Sequence, residues 1–279
     1  MMRNILIITI LTFIITACDK EIELSELDDK ITVEGWIDEG GHPIVMLTQA
    51  VHVDHTARSL SDLSDYIVKW AKVTVSDGEH SEILTGKFNK KYYPPYIYTT
   101  GNMKGKAGKT YSLTVEYQNH TLTASTTIPP HVDIDTAFAI ASTDSSSFGI
   151  KIIFSDNPST HDYYKTFSNC DSTSNMYLST IMQAIDDRNA NSSTIENTIY
   201  RGRFLDSDYK PGFTRGEVVM VKLCHIDSVS YAIWKDYENS LSFSRNALLR
   251  YNNNITSNII GGLGYWCGYG ATVKMVEVR

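Results

Sequence analysis

The first half of the chain alternates apolar and polar positions, which is the period of a half-buried β-strand. Four segments of this half are predicted as strands: ITVEGWID, HPIVMLTQAV, VKWAKVTVSDG and GKTYSLTVEYQNHTLTASTTIPP. The third contains an Asp-Gly hairpin signal, and in the fourth Tyr111, Leu113 and Val115 share one face. This spacing predicts an immunoglobulin-like β-sandwich over residues 31–130, with Tyr111 as its structural tyrosine corner.

The second half, residues 131–279, continues the strand pattern but contains one segment with helical spacing. Strands are predicted for VDIDTAFAI, SSSFGIKIIFSD, RGEVVMVKLCHI and IIGGLGYWCGYGATVKMVEV. Between the last two, Asp227 or Ser228 can serve as the N-cap of an amphipathic helix. The apolar stripe of that helix is Ile233, Trp234, Tyr237 and Leu241. The sequence therefore predicts a mainly β protein, in which the sandwich is followed by a second β-rich domain with one amphipathic helix.

The first thirty residues have the pattern of a lipoprotein export signal. A basic start at Arg3 precedes an apolar run that is shorter than the roughly 20 residues of a membrane-spanning helix. The run ends on ITAC, which resembles the bacterial lipobox, so we expect removal of residues 1–17 and acylation of Cys18 with palmitate-type chains. Residues 18–30 are acidic and are predicted to form a solvated tether.

Charge and cysteine content narrow the possible partners. The net charge is −7 and no basic cluster occurs, which argues against nucleic acid as a partner. Besides Cys18 the chain has Cys170, Cys224 and Cys267, and their separations fit no zinc pattern. The sequence leaves open whether two of the three form a disulfide or all three are buried thiols.

Candidate chemistry is sparse. His52, Asp54 and His55 are a weak candidate for a zinc or copper site, and a solvated loop is the alternative that we favour. No nucleophile elbow and no HExxH motif occurs in the sequence. The carboxylates that a hydrolase could use are Asp186, Asp187, Asp206 and Asp208. We predict a protein that is not an enzyme and has no cofactor or resident metal.

The segment YYPPYIY is the most distinctive feature outside these motifs. Its four rings belong to Tyr92, Tyr93, Tyr96 and Tyr98. Such rings stack on sugars or anchor protein interfaces at a small cost in conformational entropy. They are predicted as a possible binding surface for a glycan or a peptide. The alternative is an edge strand with half-buried tyrosines.

The segments CDKEIE, ITVEGWI, AKVTVSDG, GKTYSLTV with ASTTIP, and NIIGGLGYWCGYG follow one another in this order. Together they resemble the Bacteroidota outer-membrane lipoprotein family that is catalogued as a domain of unknown function, family number 4249. The resemblance covers nearly the whole mature chain. It implies an immunoglobulin-like sandwich before a second β-rich domain, and an accessory role beside TonB-dependent outer-membrane transporters. It supplies no catalytic residue.

The leading hypothesis is a lipid-anchored protein of the cell outer membrane that works with a TonB-dependent transporter in nutrient uptake. The acidic tether resembles the surface-export signal of Bacteroidota lipoproteins, so cell-surface exposure is expected and a periplasm-facing orientation is the alternative. The alternative function is a structural or adhesive surface lipoprotein that self-associates or binds host or matrix partners.

Overall fold

The computed structural model describes residues 30–50, 65–142, 147–189, 193–202, 209–243 and 256–279. These ranges are mainly β, as predicted, and their one α-helix is α1, Ser228–Phe243. The strands are β1 (Ile31–Asp38), β2 (Ile44–Gln49), β3 (Lys72–Ser76), β4 (Ser81–Ile83), β5 (Thr85–Phe88), β6 (Tyr96–Thr99), β7 (Thr110–Tyr117), β8 (His120–Thr127), β9 (Ile134–Ala141), β10 (Phe148–Ser155), β11 (Tyr163–Asn169), β12 (Leu178–Asp186), β13 (Thr194–Ile199), β14 (Val218–Ile226) and β15 (Leu263–Glu277). In the same ranges, no helix has both the length and the apolar character needed to cross a bilayer.

The strands form one large and two small sheets. The central sheet has eight strands in the order β12-β11-β14-β15-β1-β2-β6-β5. One small sheet has the order β4-β3-β7-β8, and the other has the order β13-β10-β9. The two small sheets cover different halves of one face of the central sheet, and helix α1 packs on its other face.

Two hydrophobic cores lie between the central sheet and the small sheets. In the first core, Val33 and Leu47 of the central sheet pack with Val73 and Val115 of the four-stranded sheet. In the second core, Val221 and Leu223 of the central sheet pack with Ile150 and Ile152 of the three-stranded sheet. Because successive side chains of a strand point to opposite faces, the neighbours of these residues must face away from both cores.

The last strand, β15, joins the two halves of the central sheet. Its first part, residues 263–269, pairs in parallel with β1, and its second part, residues 270–277, pairs antiparallel with β14. The indole of Trp266 belongs to the first core, where its Nε1 donates to the Tyr111 carbonyl at 2.9 Å. The end of the chain thus packs against both the first and the second half of the sequence. The predicted domain boundary at residue 130 remains a prediction.

Hydrogen bonds confirm the predicted cap of α1 and a structural role for Tyr111, while the assignment of Tyr111 to a tyrosine corner remains a prediction. The Tyr111 hydroxyl donates to the Lys104 carbonyl at 3.2 Å and accepts from the Lys106 amide at 3.0 Å, so it closes the turn before β7. The Asp227 carboxylate accepts from the Ser230 amide at 2.7 Å. Asp227 is therefore the N-cap of α1.

Candidate functional site

A groove of about 920 Å³ lies on the face of the central sheet that the two small sheets leave uncovered. We call it the aromatic groove. Strands β1, β2, β14 and β15, helix α1 and the loop after β11 all contribute to it. The lining side chains that matter here are Glu34, Trp36, Asp38, Tyr92, Phe167, Tyr177, Lys222, Trp234, Tyr265 and Tyr269.

Strand alternation explains why charged and aromatic residues gather in the groove. In β1 the odd positions are buried in the first core, so the even positions Glu34, Trp36 and Asp38 face the groove. The register of the parallel pair then sets Glu34 beside Tyr265 and Asp38 beside Tyr269. The alternate residues of the ITVEGWID strand that do not enter the core thus line the groove.

Aromatic rings form the walls of the groove. The ring centroids of Trp36 and Tyr92 lie 6.4 Å apart, and those of Trp234 and Tyr265 lie 5.3 Å apart. The Trp234 indole also donates to the Tyr269 hydroxyl at 3.1 Å, which fixes the orientation of both rings. Trp36, Tyr92 and Tyr265 are half-buried, so none of these three residues is fully covered by the protein.

An ion pair lies at the floor of the groove. The Lys222 ammonium donates to both carboxylate oxygens of Asp38 at 2.7 Å, and the Lys222 side chain is only 5% exposed. The ring centroids of Tyr269, Tyr177 and Phe167 lie 5.2, 5.5 and 6.0 Å from the ammonium. Burial lowers the pKa of Lys222, but Asp38 and the other nearby negative charges outweigh that effect, so the pKa is raised and the ammonium stays charged.

Glu34 offers the groove a second kind of polar group. Its side chain is half-buried, and desolvation raises the pKa of its carboxyl group. Among the amides and side chains that the structure describes, none hydrogen-bonds this carboxyl group. A desolvated carboxyl group gains from any hydrogen-bond partner that a ligand supplies.

The four tyrosines of YYPPYIY do not form one surface. Of these four, only Tyr92 lines the groove. Tyr98 is a core residue, 2% exposed, and its hydroxyl donates to the Val68 carbonyl at 2.9 Å. Tyr96 packs edge-on against Tyr98, with its hydroxyl donating to the Lys69 carbonyl at 3.0 Å. The Tyr93 amide lies 3.2 Å from the Met176 sulfur, which ties this segment to the loop after β11.

The other candidate residues lie apart from the groove or outside the described ranges. Asp186 and Asp187 lie at the end of β12, where the Arg188 guanidinium donates hydrogen bonds to both oxygens of the Asp186 carboxylate. The predictions for the signal peptide and for Cys18 concern residues outside the described ranges. So do those for His52, Asp54, His55, Asp206 and Asp208.

The three remaining cysteines are free thiols. Cys224 and Cys267 are buried, and burial raises the pKa of both to about 12. Cys170 is half-buried and lines the groove. The structure therefore has no disulfide among these three cysteines, and two of the three expected buried thiols are fully buried.

The three charged residues of the groove that matter here, Glu34, Asp38 and Lys222, are not among the site residues predicted from sequence. A signal for Lys222 exists, since a lysine stands in the middle of the apolar run VVMVKLCHI. A charge at such a position needs a partner or a polar opening nearby. The sequence does not show that this partner is Asp38, 184 residues earlier in the chain.

Comparisons with known proteins place the chain in a family without assigning it an activity. No curated protein matches the chain. A family model described as a domain of unknown function, DUF4249, matches residues 19–275. Since this match spans nearly the whole sequence, the chain belongs to the DUF4249 family.

Proposed function

We propose that this protein is a non-enzymatic lipoprotein of the bacterial outer membrane that binds a glycan or peptide ligand in the aromatic groove. In this proposal it acts as an accessory subunit of a TonB-dependent transporter. The observation that carries the proposal is the groove itself. Its volume of about 920 Å³ falls within the roughly 300–1,000 Å³ of ligand pockets.

The chemistry of the groove suits a ligand with both flat apolar faces and hydroxyl or amide groups. The exposed parts of Trp36, Tyr92 and Tyr265 can stack on sugar rings or on peptide side chains. The Glu34 carboxyl group can exchange hydrogen bonds with hydroxyl or amide groups. The Lys222–Asp38 pair provides a fixed dipole beneath them. Such a combination of aromatic walls and a few polar groups is typical of binding sites.

The anchor and the sandwich are part of the same proposal. The lipobox-like ITAC segment and the acidic tether support a lipid at Cys18 and a place among the Bacteroidota lipoproteins. The four-stranded sheet faces β1, β2 and β6 across the first core, and the Tyr111 hydroxyl hydrogen-bonds the backbone of Lys104 and Lys106. These features support an immunoglobulin-like sandwich in the first half.

Replacing Trp36 with alanine should weaken ligand binding by roughly tenfold or more, because it removes a groove wall of the kind that dominates binding energy. Calorimetric titration of the purified protein with a panel of oligosaccharides and short peptides measures this effect. Trp70→Ala is the matched control, since Trp70 is 88% exposed and does not line the groove. Equal affinities for native protein and Trp36→Ala would show that the ligand does not bind in the groove.

A further inference from the structure

A second cluster of charged side chains lies where three strands of the second half end. Asp156 directly follows β10, Asp162 directly precedes β11, and Asp187 directly follows β12. One carboxylate oxygen from each of these three residues lies within 4.8 Å of the other two. The topology thus brings together three acidic groups from separate parts of the sequence.

Hydrogen bonds hold the three carboxylates close together. The Tyr164 hydroxyl donates to Asp156 Oδ1 at 2.5 Å, and the Asp162 amide donates to Asp187 Oδ2 at 2.9 Å. Asp162 Oδ1 lies 3.1 Å from His225 Nε2. Because these contacts fix the positions of the carboxylates, the groups cannot separate to relieve their mutual repulsion without breaking hydrogen bonds.

Asp187 supplies an independent indication of a ligand. Its side chain is 6% exposed, and its Oδ1 atom is buried and accepts no hydrogen bond from the described residues. His161 Nε2 lies 3.8 Å from this Oδ1 atom, which is beyond hydrogen-bond distance. A buried carboxylate oxygen without a donor is costly, and a bound cation would remove that cost.

Arg188 and His161 lie nearer to Asp186 than to the cluster, whereas His225 Nε2 contacts Asp162 Oδ1 at 3.1 Å. The Arg188 guanidinium donates hydrogen bonds to both carboxylate oxygens of Asp186, at 2.6 and 3.1 Å. His161 Nε2 also lies closer to Asp186, at 3.0 Å from Oδ1. On the other side, His225 contacts the Pro130 carbonyl through Nδ1 at 2.8 Å. Four carboxylates therefore face one arginine and two histidines, which leaves a negative balance.

We propose that Asp156, Asp162 and Asp187 bind a hard divalent cation of the Ca²⁺ type. Oxygen ligands of Ca²⁺ lie 2.3–2.6 Å from the ion, so two opposite ligands are roughly 4.6–5.2 Å apart. A spacing within 4.8 Å fits one such coordination shell. The bound ion ties together the ends of β10, β11 and β12. This site is separate from the groove and does not depend on the proposed function.

A neighbouring set of residues helps to define the type of ion. His161, Asp186 and Asp187 also approach one another within 4.8 Å, and a nitrogen ligand would suit zinc. Asp186, however, is already engaged by Arg188, whose positive charge opposes a cation at that carboxylate. In the all-oxygen set of Asp156, Asp162 and Asp187, the described residues place no arginine on a carboxylate, and the one histidine within hydrogen-bond distance is His225, on Asp162. This set therefore favours Ca²⁺ over Zn²⁺.

The test is titration of the full-length protein, after treatment with a chelator, with CaCl₂ and separately with ZnCl₂. Calorimetry should show one Ca²⁺ per chain, and Ca²⁺ should raise the temperature of thermal unfolding. Asp187→Asn and Asp156→Asn should each remove most of this rise. The exposed Asp133→Asn variant serves as the matched control, and His161→Ala should retain the response to Ca²⁺.

Three results would overturn the proposal. The first is the absence of Ca²⁺ binding to the native protein. The second is Ca²⁺ binding that is unchanged in both Asp187→Asn and Asp156→Asn, since the ion would then lie elsewhere. The third is a preference for Zn²⁺ that disappears in His161→Ala. The two aspartate variants are both included so that a folding failure of one leaves the other to decide.

Discussion

Replacing Glu238 with glutamine should lower the free energy of unfolding by roughly 3–5 kcal/mol, because it leaves the Lys165 ammonium buried without its counter-charge. The Lys165 side chain is 0% exposed, and its Nζ donates to Glu238 Oε1 and to the Thr180 carbonyl, both at 2.6 Å. Burial lowers the pKa of Lys165 to about 8, and the Glu238 carboxylate opposes this shift. Chemical denaturation of the two proteins measures the difference.

The position of Glu238 on α1 explains why the loss should be large. Its Oε1 also accepts from the backbone amides of Gln183 and Ala184, at 2.7 and 3.0 Å. These amides lie in β12 at an irregularity, where the pairing with β11 jumps from Ala184 to Ser179. The carboxylate thus satisfies backbone donors next to the irregularity and attaches the helix to the edge strand.

The chain contains a matched control for this ion pair. Lys72 and Glu116 are also 2.6 Å apart, but their side chains are 55% and 48% exposed. Glu116→Gln should therefore cost less than about 1 kcal/mol. Equal losses in Glu238→Gln and Glu116→Gln would show that burial of the Lys165–Glu238 pair does not determine its contribution.

Replacing Gly264 with alanine should destabilise the protein by roughly 3–5 kcal/mol, because backbone strain and overpacking add at this position. Gly264 has a φ of +99°, and a Cβ atom there would lie 1.9 Å from the Val33 carbonyl oxygen. The clash falls within the parallel pairing of β1 with β15, where Val33 lies opposite Gly264. Thermal and chemical unfolding of the variant measure the loss.

Gly78 separates the two contributions. It has a similar φ of +89°, but a Cβ atom at Gly78 would meet nothing within 4 Å. Gly78→Ala should therefore show the backbone strain alone, about 1 kcal/mol or somewhat more. If Gly264→Ala cost no more than Gly78→Ala, close contact between β1 and β15 would not be the reason for glycine at position 264.

Local features of the fold could be predicted from the sequence. The alternation in β1, the Tyr111 hydroxyl contacts and the Asp227 cap depend on residues close together in the chain, so period and capping rules apply to them. The parallel pairing of β1 with β15 joins residues more than two hundred positions apart. Neither strand carries a local signal that names its partner, and this pairing is therefore not predicted.

The groove was less predictable than the fold for the same reason. Its side chains come from strands, a helix and a loop that are distant in sequence. The YYPPYIY pattern identifies aromatic rings, but it does not show that Tyr98 points into the core while Tyr92 faces the groove. Strand direction and the neighbouring sheet decide which ring is exposed, and both depend on tertiary packing.

The most direct test of the proposed function is affinity purification of the full-length protein from native membranes in mild detergent, for native protein and for Trp36→Ala. Co-purifying proteins and small molecules are identified by mass. We expect native protein to carry a large outer-membrane barrel together with a glycan or peptide, and Trp36→Ala to lose the glycan or peptide. Recovery of native protein alone, or only with its own copies, would contradict the proposed function and favour a structural, self-associating lipoprotein.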